Sequence, residues 1–149
     1  MKISFTVFGI PQTQGSMRSM RSNTTGRVVT LHAKSNALKA WRHAVGFEAK
    51  KAMEGGFAAP GPIAIAVDFY LPKPKRCKRL LPHVKPDLDK LVRAIGDALA
   101  QVIYVDDGQI VELFARKLYG SPPRAEIMVD RKPVAIAKDQ VHTTHPTRL

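Results

Sequence analysis

Residues Ile63 to Leu71 read Ile-Ala-Ile-Ala-Val-Asp-Phe-Tyr-Leu. Large apolar groups stand at every second position, Ile63, Ile65, Val67, Phe69 and Leu71, which is the period of an extended strand with one buried face. Pro60-Gly61-Pro62 before the run and Pro72 after it fix its length and exclude a helix. The small Ala64 and Ala66 on the reverse side predict a helix packed closely there. Any fold open to this chain must be built around that strand.

The flanking segments supply its partners. Ile3 to Phe8 alternates and stops at Gly9-Ile10-Pro11, which predicts a first strand. Gln12 to Lys34 is rich in Ser, Thr, Gly and Arg and reads as a basic loop holding a short strand at Arg27 to Leu31. Ser35 is placed to cap a helix running to about Met53, with Leu38, Trp41, Val45 and Ala49 on one face. Pro72 to Lys85 carries too much proline and charge to be regular. After Pro86, Leu91, Ile95, Ala98 and Val102 recur at helical spacing. Strands are predicted from about Gln109 to Leu118 and from Ala125 to Arg131, joined by a turn at Ser121-Pro-Pro123. The order is that of an α+β fold: a single domain over residues 1–131, with a mixed sheet covered by two main helices and a closing β-hairpin. The pattern lapses in 132–149, which reads as a mobile tail.

Charge narrows the function. The chain has 24 Lys and Arg against 12 Asp and Glu, a formal +12. So basic a small domain attracts polyanions, nucleic acid before all others. No acid precedes Glu48, while Arg18, Arg21 and Arg27 fall in the first loop, and Lys73, Lys75, Arg76, Lys78, Arg79 and Lys85 form a second basic cluster. No apolar run is long enough to span a membrane and no signal peptide opens the chain, and the single cysteine, Cys77, suits a reducing compartment. The expectation is a cytoplasmic protein.

The acids are not spread evenly. Asp87, Asp89, Asp97, Asp106 and Asp107 crowd one stretch of an otherwise basic chain. With Asp89 as the helix cap, Asp87 and Asp89 lie two apart on extended chain and point the same way. A turn at Asp106-Asp107-Gly108 brings in a third carboxylate. Three such groups supply hard oxygen ligands for a divalent cation, and Mg²⁺ accepts a partial protein shell completed by water and phosphate. Taken singly the same residues have plainer roles: Asp89 as a cap only, Asp-Gly as a turn only. Clustered carboxylates repel, and a cation relieves that repulsion.

From Pro86 to Ile110 the sequence resembles the signature region of the RusA-type Holliday junction resolvases. The matching residues are Asp87, Asp89, Leu91, Arg93, Asp97-Ala98-Leu99, Asp106-Asp107 and Gln109-Ile110. The resemblance implies a metal-dependent endonuclease that nicks branched DNA in pairs, with Mg²⁺ or Mn²⁺ held by Asp87, Asp89 and Asp107, and a homodimer acting on a symmetric junction. Arg93 falls where the family pattern has a functional Lys; always charged, it is suited to electrostatic work and not to proton transfer. Lys90 replaces the usual Asn beside the proposed metal, where it either weakens ion binding or adds a phosphate contact. Lys73, Lys75, Arg76, Lys78, Arg79, Lys85, Lys90, Arg18 and Arg21 are the expected DNA contacts. The alternative, from a different class, is a non-catalytic DNA- or RNA-binding module whose acids only cap helices and shape turns.

Overall fold

In the computed structural model of this chain, residues 1–15, 18–21, 24–26, 28–31 and 36–135 are described. The chain forms β1 (Lys2–Phe8), β2 (Arg18–Arg21), β3 (Val28–Leu31), α1 (Asn36–Ala52), β4 (Ile63–Leu71), α2 (Leu88–Leu99), a one-turn 3-10 helix (Asp107–Gln109), β5 (Ile110–Tyr119) and β6 (Arg124–Arg131). It is α+β, as expected, with a mixed sheet of order β1-β6-β4-β5. β2 and β3 pair antiparallel in a separate ribbon. Arg27 and Ser35, and the side chains of Arg18 and Arg21, lie outside the described residues.

The alternation in β4 sets the core. Ile63, Ile65, Val67, Phe69 and Leu71 are all buried, and Ala125, Ile127 and Val129 of β6 continue the same face. Full burial of each large side chain contributes about 1.5–3 kcal/mol. α1 adds Leu38, Trp41, Val45 and Ala49, and α2 adds Leu91, Ala94, Ile95, Ala98 and Leu99. The helices approach closely where α1 has no side chain: a Cβ at Gly46 would stand 3.5 Å from the Ala98 carbonyl oxygen.

The helix expected over Ala64 and Ala66 is not there. Both helices bury their apolar faces in the one core cluster, on the Ile63 side of the sheet. Ala66 pairs in register with Phe114 on one neighbour and Met128 on the other. These larger side chains rise on either side of the alanines, so small residues here mark a depression in an open sheet face and not a helix seat.

β5 runs parallel to β4, whereas β6 runs antiparallel to both β4 and β1. The last two strands run out and back through the turn at 120–123, with β4 lying between them. A parallel pair requires a long crossover, and residues 72–109, with α2 inside them, supply it. α2 ends at Leu99, short of the expected Val102. Gln101 takes a left-handed φ of 66°, and its N–H bonds the Tyr104 carbonyl at 2.7 Å. That turn drives Ile103 and Tyr104 into the core, both at most 1 % exposed. At the other end Lys132, the first residue of the expected tail, is tied down: its N–H bonds the Pro62 carbonyl at 2.9 Å, and its ammonium stands 3.3 Å from Glu112. The tail from 136 to 149 lies outside the described residues.

Candidate functional site

The crossover between β4 and β5 carries both the basic linker and the acids. Its first part is irregular yet firmly held. Tyr119, at the end of β5, accepts hydrogen bonds on its hydroxyl from Arg79 Nε at 3.3 Å and from Cys77 Sγ at 3.7 Å. Lys73 stands 5.7 Å from the centroid of the same ring. Further on, Pro82 is buried, and Lys117 of β5 donates from one ammonium to the Val84 and Pro86 carbonyls, each at 2.8 Å. Lys75, Arg76, Lys78 and Lys85 are left exposed on this fixed arm, while Arg79 is half-buried. The basic cluster read from sequence is therefore a braced row of cations, not a loose tether.

The arm ends at α2. Asp87, rather than Asp89, occupies the cap position, with extended φ −72° and ψ 133°, and the Leu91 N–H bonds its carbonyl at 3.1 Å. Asp89 sits inside the first turn, where the helix dipole favours a negative charge. The expectation of two carboxylates on extended chain is thus corrected: only Asp87 is extended. Pro86 delivers the extended residue, and it is the next one, Asp87, that begins the helix. The Asp87 side chain makes no cap bond, because Lys90 takes it at 2.6 Å. That hydrogen bond and the Lys90 charge, aided by Lys85 and Lys117, hold the Asp87 carboxyl below its ordinary range, and Asp87 in turn raises the Lys90 ammonium. Arg93 is exposed one turn beyond Asp89.

Asp107 lies elsewhere. Asp106 caps the 3-10 turn, accepting the Gly108 N–H at 2.7 Å, and Gln109 completes a capping box. The Asp107 carboxylate stands beside the hydroxyl of Tyr104, which donates to the Gly96 carbonyl at 2.7 Å. Burial first, then the charge and hydrogen bond of Asp107 and the charge of Asp97, push the Tyr104 hydroxyl up. Asp97 is eight residues beyond Asp89, an axial rise of about 12 Å. Asp89, Arg93 and Asp97, spaced four apart, follow one side of α2, and Asp107 joins Asp97 beside Tyr104, whereas Asp87, two residues before Asp89, is turned about 200° from it around the helix. Among the described residues no three His, Cys, Asp or Glu side chains are assembled into a metal site. Asp87 and Asp89 both belong to the start of α2, while Asp107 stands beside Tyr104, whose hydroxyl bonds the Gly96 carbonyl near the other end of the helix.

Several supporting residues carry no local signal. Lys117 and Tyr119 act on residues some thirty to forty positions earlier, a relation that only the parallel strand pairing creates. Gln14 donates its backbone N–H to the Lys90 carbonyl at 3.0 Å, which brings the start of the first basic loop against the helix that bears the acids. Its side-chain Oε1 is buried without a partner. Tyr104, assigned no role from sequence, links the Asp107 turn to α2.

The family model described as Endodeoxyribonuclease RusA matches residues 10–130, and so takes in the linker, the acids of α2 and of the turn after it, and the strands that brace them. The chain is also 34% identical over 140 residues to an uncharacterized protein, YqaN, of Bacillus subtilis (strain 168), with 85% of this chain and 94% of that protein covered. By the extent of both matches, this chain belongs to the RusA family of endodeoxyribonucleases, which act on branched DNA.

Proposed function

We propose that the protein is a divalent-metal-dependent resolvase that cuts four-way or other branched DNA by paired hydrolysis of phosphodiesters. The observation that carries this reading is the direct passage of a braced cationic arm, Lys73 to Lys85, into the carboxylate pair at the start of α2. The arm holds a phosphate backbone by charge. A helix N-terminus, with Lys85, Lys90 and Arg93 around it, is suited to receive a phosphate at the same place.

The donor set suits a hard cation. Asp87 already holds a positive group, the Lys90 ammonium, at 2.6 Å, and Mg²⁺ characteristically takes one or two carboxylates and completes its shell with water and phosphate. Asp87 and Asp89 are the proposed direct ligands. Asp107 is the proposed third carboxylate, recruited in the complex with DNA from its place beside Tyr104. Mg²⁺, or Mn²⁺ in its stead, would supply Lewis acidity toward the scissile phosphate and the attacking water. Arg93 neutralises charge on the phosphate, and Lys90, once released from Asp87, is free to do the same. Arg18 and Arg21 are proposed contacts to a neighbouring arm.

Paired cutting calls for two sites related by symmetry, and a homodimer is the proposed unit. The open sheet face supplies a surface for the second copy: Ser4, Thr6, Ala66, Phe114 and Met128 line an apolar depression of about 490 Å³. Among the described residues no helix is long and apolar enough to cross a membrane, and the proposed place of work is the cytoplasm.

The deciding experiment incubates the protein with an end-labelled synthetic four-way junction, in Mg²⁺ and in EDTA. Paired nicks on opposed strands in Mg²⁺ alone are expected; tight binding with no nicks under any divalent cation would leave a binding module instead. Lys75→Ala or Arg76→Ala should weaken binding to all DNA forms alike. Each should also lower the slope of log K against log salt by about one unit for every phosphate the arm ceases to neutralise, read from titrations at several salt concentrations.

A further inference from the structure

We propose that Leu80 and Leu81 form a wedge that enters the branch point of the DNA and gives the enzyme its preference for branched over continuous duplex. This rests on the reading of the protein as a branched-DNA nuclease. Leu80 is 89% exposed and Leu81 55%, adjacent in sequence within the basic arm. They are not exposed through slackness. The buried Pro82 anchors the chain immediately behind them, the His83 N–H closes a tight turn on the Leu81 carbonyl at 2.9 Å, and the Tyr119 and Lys117 contacts brace the arm on either side. The fold thus holds two leucines out in water between Lys78 and Arg79 on one flank and Lys85 on the other.

A leucine gains nothing from a sugar-phosphate exterior, which offers it only charge and water. It gains where base faces are open, and proteins that kink DNA insert such apolar side chains between base steps. In a continuous duplex, insertion costs the unstacking of a step. At a branch the stack is already interrupted, so that cost is largely absent and the same contact favours branched DNA; discrimination is the difference between the two affinities. The flanking cations bring the arm to phosphate in either form, so they supply affinity and the leucines supply selectivity. Five residues separate Leu81 from Asp87, and the six steps between them span at most about 20 Å. With about 3.4 Å of rise per base pair, the nick should fall within about six nucleotides of the branch.

The test uses the full-length protein and a four-way junction carrying 2-aminopurine at the branch, in Ca²⁺ buffer without Mg²⁺. Wild type is expected to raise the fluorescence severalfold on binding. The Leu80→Ser/Leu81→Ser double variant is expected to bind without that rise, losing about tenfold or more in junction affinity and less than twofold in affinity for linear duplex. Leu80→Met/Leu81→Met should restore both. Equal thermal midpoints for wild type and variants would show that the arm stays folded. If the serine variant matches wild type in fluorescence and in the junction-to-duplex ratio while wild type cuts junctions, the wedge is refuted and the nuclease reading stands. If the loss tracks a change in sedimentation instead, the leucines serve a protein contact and the wedge is likewise refuted. Wild type that neither binds nor cuts junctions overturns both.

Discussion

Asp87→Asn is expected to lower the single-turnover rate of junction cleavage in Mg²⁺ by about 10²–10³-fold, because it removes a proposed direct ligand of the cation proposed to activate the phosphate. The fold should be untouched. Asn is as good a residue as Asp at a helix cap, and with the carboxylate gone the Lys90 ammonium, now held at 2.6 Å, is released toward DNA. Junction affinity in Ca²⁺ should accordingly stay level or rise, since a negative charge has left the phosphate seat. A variant that cuts at the parental rate would remove Asp87 from the ligand set. Asp107→Asn carries a sharper message. It should lose cleavage to a comparable degree if that carboxylate joins the cation in the DNA complex, and only a few-fold if it stays beside Tyr104.

Gln109→Ala should have the largest effect on stability of any single change near the site. Its Oε1 accepts the N–H groups of Val105 at 2.8 Å and Asp106 at 2.9 Å. Its Nε2 donates to the carbonyls of Ala59 at 2.9 Å and Gly61 at 2.8 Å. One side chain thus joins the Asp106-Asp107 turn to the segment that leads into β4. Truncation leaves four backbone groups to find new partners, at a cost of about 2–4 kcal/mol once water replaces some of the bonds. For a domain of this size that lowers the midpoint by about 5–15 °C. Gln109→Glu is the more telling variant, because it keeps the shape and the two accepted bonds yet turns a carboxylate toward two carbonyl oxygens. Calorimetry of both should show Glu at least as damaging as Ala; a midpoint unchanged in either would mean that the turn holds itself. In the family motif this glutamine stands beside the acids as though it shared their chemistry. The structure gives it the task of setting Asp107.

The strands and helix faces are legible in the sequence because each obeys a period. Ile63 to Leu71 announces its buried side residue by residue, and Leu38, Trp41, Val45 and Ala49 do the same for α1. Where the period is ambiguous the sequence misleads. Val102 continues the spacing of α2, yet the left-handed Gln101 ends the helix first and Tyr104 enters the core in its place. Ala64 and Ala66 suggest a covering helix until Phe114 and Met128 are seen beside them, and strand order is needed to know that. The cap falls at Asp87 and not Asp89 because proline fixes where extension must occur, not how far past it the helix starts. In the site, the linker cations and the Asp87-Asp89 pair are legible as composition and spacing. The meeting of Asp107 with Tyr104 and the bracing by Lys117 and Tyr119 are not, since each depends on how distant parts of the chain come together.

The attachment of the basic arm to Tyr119 has a consequence for how the molecule comes apart. A surface segment of this length would ordinarily open by itself, well below the global unfolding free energy. Here three of its residues rest on one tyrosine whose own strand is paired in unbroken register with β4 from Ala64 to Leu71. Warming should therefore not release this arm before the body melts, and its hold on nucleic acid should last until the sheet that carries Tyr119 gives way.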